Sequence, residues 1–293
     1  MPLAQRARLL LALGCVTLCA ACATATPAPP LRPPTPTSTA GSGPLTSPAS
    51  PDPVRVAVVV MENTVYDAAL QLPYVQSVAS TATVLTDYHG SGHPSLPNYL
   101  AMTSGTTWGI TDDNFHSLPA EDIGSQLTTA GIPWRAYMEG MGADCRQNVG
   151  RYAVKHDPFA FYGPSCPSSV VPMSQLGTDL AAGPAARLLW LTPDLCNDMH
   201  DCGPAVGNAW LQQNIPALLA APGMSNGVVF ITWDEDDGGP TNHVATLVLG
   251  ARRAASPANA YTHANLAATI EDLLGLPGLQ ATAGVGPIAL RAP

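Results

Sequence analysis

The chain has 293 residues, a formal net charge of −9 with the histidines neutral, 46% hydrophobic residues and only 11% charged ones. Beyond residue 53, nine Lys and Arg stand against twenty Asp and Glu, with Lys155 the single lysine, which argues against a surface that tracks nucleic-acid phosphates. The apolar fraction suffices to fill a core, and no run of about 20 apolar residues follows residue 22, so no internal membrane span is expected.

In chain order, Arg6 and Arg8 precede an apolar run over residues 9–21, the charged start and short apolar stretch of a bacterial export signal assigned to residues 1–22. Leu18-Cys19-Ala20-Ala21-Cys22 is similar to a lipobox, so Cys22 is a candidate for acylation and membrane attachment. Cleavage after an Ala-x-Ala such as Ala21-Cys22-Ala23, with plain secretion, is the competing expectation. Residues 23–53 are mostly Pro, Thr, Ser and Ala with ten prolines, which predicts an extended, disordered linker. Residues 54–293 remain as a single domain.

Within it, β-branched and aromatic apolar runs at 54–61, 83–88, 133–138, 187–191, 227–233 and 244–250 predict buried strands. Helix-like segments alternate with them, around 65–80, 98–104, 121–130, 173–181, 206–219 and 264–274. That alternation predicts an α/β fold with a mostly parallel sheet flanked by helices, and ligands then sit beyond the carboxyl ends of the strands. Acids fall at those ends: Glu62, Glu139, Asp194, and Asp234 with Glu235. Carboxylates gathered at one edge repel one another, and a divalent cation relieves the repulsion.

Four cysteines lie in the domain, Cys145, Cys166, Cys196 and Cys202, and an even number in an exported chain predicts two disulfides. Of three possible pairings, Cys145 with Cys166 and Cys196 with Cys202 is favoured because neighbours close short loops. The second pair would pin Asn197, Asp198 and His200 on one small loop.

Three stretches carry chemistry. Residues 58–63 end a strand on Glu62 and Asn63, two oxygen ligands side by side, although Asn63 also suits a helix cap. His93-Pro94-Ser95-Leu96-Pro97-Asn98 precedes a helix-like run, placing the Ser95 hydroxyl near a helix N-terminus that favours a phosphate or alkoxide; Ser95 acting only as a cap is the plainer reading. Asp234 to Asp237 are four consecutive acids after a strand, followed by Gly238-Gly239 and Asn242-His243-Val244. Gly238 at the fifth ligand position makes an EF-hand loop a poor match.

Together these residues resemble the bacterial phosphoesterase family that contains acid phosphatases and phosphocholine-preferring phospholipases C, a branch of the alkaline phosphatase superfamily. Met61-Glu62-Asn63 resembles its Glu-Asn metal motif, and Ser95-Leu96-Pro97-Asn98 its [Ser/Thr]-x-Pro-Asn nucleophile motif. Lys155-His156-Asp157-Pro158-Phe159 is similar to its Lys-His-x-Pro-Phe segment, and His200 to a histidine in a later loop. Asp234-Glu235 falls where the family places its second pair of metal-binding acids, and Asn242-His243-Val244 resembles Asp-His-Val. Asp236-Asp237 stand where larger members carry a histidine, and the domain is shorter than theirs.

The resemblance implies an alkaline-phosphatase-like fold and a divalent cation held by Glu62, Asn63, Asp234 and Glu235. Ser95 is then the nucleophile, with Asn98, His93, His156 or His200 as phosphate donors or as the acid for the leaving group. An all-oxygen ligand set favours Mg²⁺, Ca²⁺ or Mn²⁺, and His243 nearby keeps Zn²⁺ open. The expected substrate is a small phosphate ester or a phospholipid head group, handled by a monomer in the manner of an acid phosphatase. A phospholipase C-like phosphodiesterase and a non-catalytic ligand-binding surface lipoprotein are the alternatives.

Overall fold

Val56–Met61 (β1) is four valines, an alanine and a methionine, every one fully buried, as a strand covered on both faces requires. The computed structural model to which it belongs describes residues 53–183 and 186–292. The expected export signal, Cys22 and the linker up to residue 52 lie outside the described residues. After β1 come α1 (Tyr66–Gln71), α2 (Pro73–Ala79), β2 (Thr83–Leu85), β3 (Tyr88–His89), α3 (Ser95–Ser104), α4 (Ile123–Thr129) and β4 (Trp134–Met138). Then follow β5 (Val170–Pro172), α5 (Leu176–Ala182), β6 (Leu188–Thr192), α6 (Pro204–Ala220), β7 (Val228–Trp233) and β8 (Thr246–Gly250). The chain closes with β9 (Arg253–Ala254), β10 (Tyr261–Thr262), α7 (His263–Leu274) and β11 (Leu290–Arg291).

Seven strands form one sheet in the order β2-β8-β7-β1-β6-β4-β5. Pairings among β7, β1, β6, β4 and β5 are parallel, whereas β8 runs antiparallel to β7 and β2 antiparallel to β8. The expected α/β architecture is therefore present, with its antiparallel strands confined to one edge. No helix among the described residues is long and apolar enough to cross a membrane.

Several boundaries differ from the sequence expectation for local reasons. The helix expected over 65–80 is two, broken at Leu72 because Pro73 has no N–H to continue the first. Helix α3 starts at Ser95 instead of 98, since Pro97 falls in the first turn, where an N–H is not needed. The run 83–88 divides into β2 and β3, and β3 pairs with β10 outside the main sheet. β5 is only three residues long and ends in proline at the sheet edge, too short to show a period.

Register aligns the ends of the central strands. β1 and β7 run in parallel with Val60 opposite Thr232 and Met61 opposite Trp233. The next residues, Glu62 and Asp234, therefore leave the sheet side by side, tied by Asp234 N–H to the Met61 carbonyl at 3.0 Å. On the other side of β1, the loop after β6 returns Asp198, whose carbonyl accepts the Glu62 N–H at 2.9 Å. The disulfides Cys145–Cys166 and Cys196–Cys202 form as expected, and the second closes this loop.

Candidate active site

Glu62 sits at the centre of the cluster and is fully buried. Its Oε1 accepts the Tyr99 hydroxyl at 2.6 Å and its Oε2 accepts the Ser95 hydroxyl at 3.1 Å. Ser95, also buried, lies 3.4 Å from Glu235 Oε1, so its Oγ stands between carboxylates delivered by two neighbouring strands. Asn63 turns the chain at φ 41°, a left-handed conformation asparagine tolerates, and its N–H donates to Asp234 Oδ1 at 3.4 Å.

Burial dominates the electrostatics. It holds the Glu62 carboxyl well above the usual carboxylate range, reinforced by the charges of Asp234 and Asp198. Asp234 is pushed up in the same way by burial and by Glu235. Asp198 rises to about 7, again through burial. Glu235 is raised by burial, although its hydrogen bond and ion pair with His93 pull it back.

The histidines divide by environment. His93 donates from Nδ1 to Glu235 Oε2, and its Nε2 lies 3.3 Å from the Gly239 carbonyl. Carboxylate and carbonyl both only accept, so this arrangement suits the imidazolium. Burial opposes the charge, but Glu235 outweighs it and raises the His93 pKa. His156, buried and stacked on Tyr99, donates from Nδ1 to Asp198 Oδ2 at 3.1 Å. Burial, reinforced by the charge of Lys155, drives its pKa well below the ordinary value, so its Nε2 carries a lone pair. That nitrogen lies 3.2 Å from Glu62 Oε1 and has no hydrogen-bond partner.

His200 is placed by its N–H on Asp198 Oδ1 at 2.8 Å and by Asp201 on its Nδ1. Lys155 Nζ reaches His200 Nε2 at 3.2 Å and donates to Asp113 Oδ2 at 2.9 Å. Burial works against the lysine charge, but Asp113 and the nearby acids raise its pKa above the ordinary value.

Three buried polar atoms of the cluster lack partners: Asn63 Oδ1, Asp234 Oδ2 and His156 Nε2. Such atoms are costly unless a ligand satisfies them, and two are oxygens on adjacent strand ends. Glu62, Asn63, Asp234 and Glu235 thus fit a hard divalent cation. Glu62, His156 and His200 also bring ligand atoms within 4.8 Å of one another. The Lys155 ammonium already occupies the His200 nitrogen, so a cation there would meet a like charge, and the carboxylate-amide set fits better.

Two expected residues stand elsewhere. Asn98 is buried, but its Oδ1 accepts Ser91 and Gly92 N–H at 2.7 and 3.1 Å and its Nδ2 donates to the Gly92 and Pro94 carbonyls. Its amide shapes the loop before Ser95 and faces no open position. His243 is not brought into the carboxylate cluster: its ring stacks on Tyr66 and His89, at 4.1 and 5.1 Å, and its Nε2 donates to the Thr86 carbonyl. The helix N-terminus also differs from expectation, because the Leu96 N–H is taken by Asp113 Oδ1 at 3.0 Å.

Asn242, singled out from sequence beside His243, accepts the Asp236 N–H and donates to the Gly92 carbonyl, tying the acid loop to the serine loop, whereas the other supporting residues were not singled out. At Gly90 a Cβ would fall 2.4 Å from the Asn242 amide, so only glycine permits this approach. His263 donates from Nε2 to the Asp234 carbonyl at 2.5 Å and accepts the Tyr88 hydroxyl. Tyr99 follows Ser95 by one helical turn, a spacing that reveals its face but not its partner; Asp113, in an irregular loop, gave no signal.

The family model described as Phosphoesterase family matches residues 55–277. The Phosphatidylinositol-3-phosphatase of Mycobacterium tuberculosis is 31% identical over 243 residues, which cover 80% of this chain and 81% of that protein. An acid phosphatase of Aspergillus fumigatus is 28% identical over 248 residues, 77% of this chain but only 56% of the fungal protein, so the chain spans little more than half of that relative. A structure of a protein in the alkaline phosphatase superfamily from Vibrio parahaemolyticus matches with a TM-score of 0.55 at 11% identity, covering 80% of this chain and 69% of that one. At that identity the likeness concerns the fold.

Proposed function

The chain belongs to the phosphoesterase family and hydrolyses phosphate esters, and from that premise we propose an acid-phosphatase-like, metal-dependent reaction with Ser95 as nucleophile. The observation that carries the reading is the Ser95 hydroxyl, buried and set between Glu62 and Glu235 at the start of α3. A divalent cation held by Glu62, Asn63, Asp234 and Glu235 lowers the serine pKa and neutralises phosphoryl charge when bound. The oxygen-rich set favours Mg²⁺, Ca²⁺ or Mn²⁺ over Zn²⁺.

The remaining steps belong to the side chains. Ser95 Oγ attacks phosphorus in line with the ester oxygen and passes its proton to a flanking carboxylate. His93, charged beside Glu235 and partly open to solvent, donates a proton to the departing oxygen. Water then attacks the phosphoserine, giving a proton back to His93, while the P–Oγ bond breaks and Ser95 Oγ recovers its proton from the carboxylate, releasing phosphate. Asn98 and Asn242 hold the serine and acid loops in register and take no proton.

A phosphomonoester borne on a small alcohol or a lipid head group is the proposed substrate; the name of the mycobacterial relative supports the second. The two disulfides support export to an oxidising compartment. The test is hydrolysis of p-nitrophenyl phosphate and bis-p-nitrophenyl phosphate by the full chain, stripped with chelator and refilled with each cation, beside Ser95→Ala. Cation-dependent hydrolysis of the monoester, reduced by at least about a thousandfold in Ser95→Ala, is expected. Preference for the diester would instead support the phospholipase C-like alternative, and full activity of Ser95→Ala would overturn the nucleophile.

A further inference from the structure

Lys155 is the only lysine in the chain, and it lies inside the catalytic cluster instead of on a solvated face. Its ammonium donates to Asp113 Oδ2 at 2.9 Å, and the other oxygen of Asp113 accepts the Leu96 N–H, one residue beyond Ser95. A single carboxylate therefore fixes the ammonium relative to the first turn of α3. His200 Nε2, 3.2 Å away, accepts a second N–H. An ammonium has three, and Asp113 and His200 account for two.

A lysine placed only to neutralise the acids would pair with them directly. Lys155 makes no hydrogen bond to Glu62, Asp234 or Glu235, although it acts on Glu62 and Asp234 electrostatically. The mechanism proposed above uses it nowhere. Phosphoryl transfer spreads negative charge over the non-bridging oxygens, and a fixed cation beside them is worth most in the transition state.

We propose that Lys155 is a catalytic residue whose third N–H binds a non-bridging oxygen of the phosphoryl group at Ser95, with Asp113 and His200 as positioning residues that hold the ammonium. The proposal rests on Ser95 being the nucleophile. It also gives the Asp113 contact with Leu96 a purpose: the N–H that a phosphate would otherwise use anchors the lysine.

Because the chain has one lysine, amine acylation of the full-length protein reads Lys155 and the N-terminal amine alone. The experiment measures the acylation rate of Lys155 by mass spectrometry in the cation-loaded enzyme, with and without inorganic phosphate. Phosphate should slow labelling with a midpoint equal to its inhibition constant for p-nitrophenyl phosphate hydrolysis, leaving the N-terminal amine unaffected. An unchanged Lys155 rate at saturating phosphate overturns the proposal. In parallel, Lys155→Met should raise the phosphate inhibition constant and lower kcat/KM by about tenfold to a hundredfold, with partial rescue in Lys155→Arg. A folded Lys155→Met with the wild-type inhibition constant also overturns it. Failure of the premise is separable, because it appears as activity retained in Ser95→Ala whatever the lysine variants do.

Discussion

At the scale of single residues, the three acids Glu62, Asp234 and Glu235 share a conflict that protonation or a bound cation resolves. Glu62, Asp234 and Glu235 have raised pKa values because burial penalises their charge. For an acid raised on folding, the native state holds more protons than the unfolded one, so stability falls as pH rises above the ordinary carboxylate range. A bound cation removes that penalty. Saturating Mg²⁺, Ca²⁺ or Mn²⁺ should therefore raise Tm more at pH 8 than at pH 5, reversibly with chelator, in differential scanning fluorimetry. A cation effect independent of pH would detach these acids from the site. Glu62→Gln should stabilise the metal-free protein at pH 8 while reducing turnover by at least about a hundredfold, because the proposed cation would lose a charged ligand. The acids themselves were legible, because each closes an apolar run and strand ends converge in a parallel sheet. Asp198 was legible as part of the disulfide-closed loop, but its partner His156, 42 residues away, was not. Tyr99 and Asp113 were not legible, since their roles depend on partners 37 residues away for Tyr99 with Glu62 and 42 for Asp113 with Lys155.

At the scale of elements, short loops and helix ends do the positioning. The loop closed by Cys196–Cys202 presents Asp198 to His156 and the Asp198 carbonyl to Glu62. Its Asn197, and Asp194 just ahead of it, are held from outside by Glu139, the acid after β4. Replacing both cysteines by serine should lower kcat by about tenfold or more with a smaller effect on Tm, because a misplaced catalytic group costs rate before it costs stability. Equal activity would show that the remaining hydrogen bonds suffice. A helix end away from the site offers a cleaner electrostatic case. Asp122 caps α4, accepting the Gly124 N–H at 2.9 Å and the Ser125 N–H at 3.2 Å, yet burial lifts its pKa to about 6 against the Ser125 and Gly124 hydrogen bonds. The native state thus loses stability as pH climbs from about 4 to about 6, by at most on the order of 3 kcal/mol. Asp122→Asn keeps a good cap without the buried charge. Its unfolding free energy relative to wild type should rise across that pH interval and level off above it, as denaturant titration at several pH values would reveal.

At the scale of the whole molecule, the alternation of apolar runs made the α/β class readable, but not the order of the strands. Order arises from pairing between distant segments: β1 finds β6 and β7, more than a hundred residues on, and the antiparallel return of β8 leaves no mark in its composition. The same topology bears on where the functional unit begins. β1 lies fourth of seven in the sheet and bonds to neighbours on both sides from Val56 onward. It also delivers Glu62 and Asn63. A chain begun at Pro53 keeps every strand of the sheet and every residue assigned to the site, so its kcat/KM on p-nitrophenyl phosphate should agree with that of the full chain within about twofold. A chain begun at Glu62 retains the acid but loses the strand that buries and aims it, and should be insoluble or unfolded by circular dichroism. A Pro53 chain that folds but is inactive would mean that preceding residues contribute to catalysis. Activity in the chain begun at Glu62 would mean that β1 does not organise the sheet edge on which the whole assignment depends.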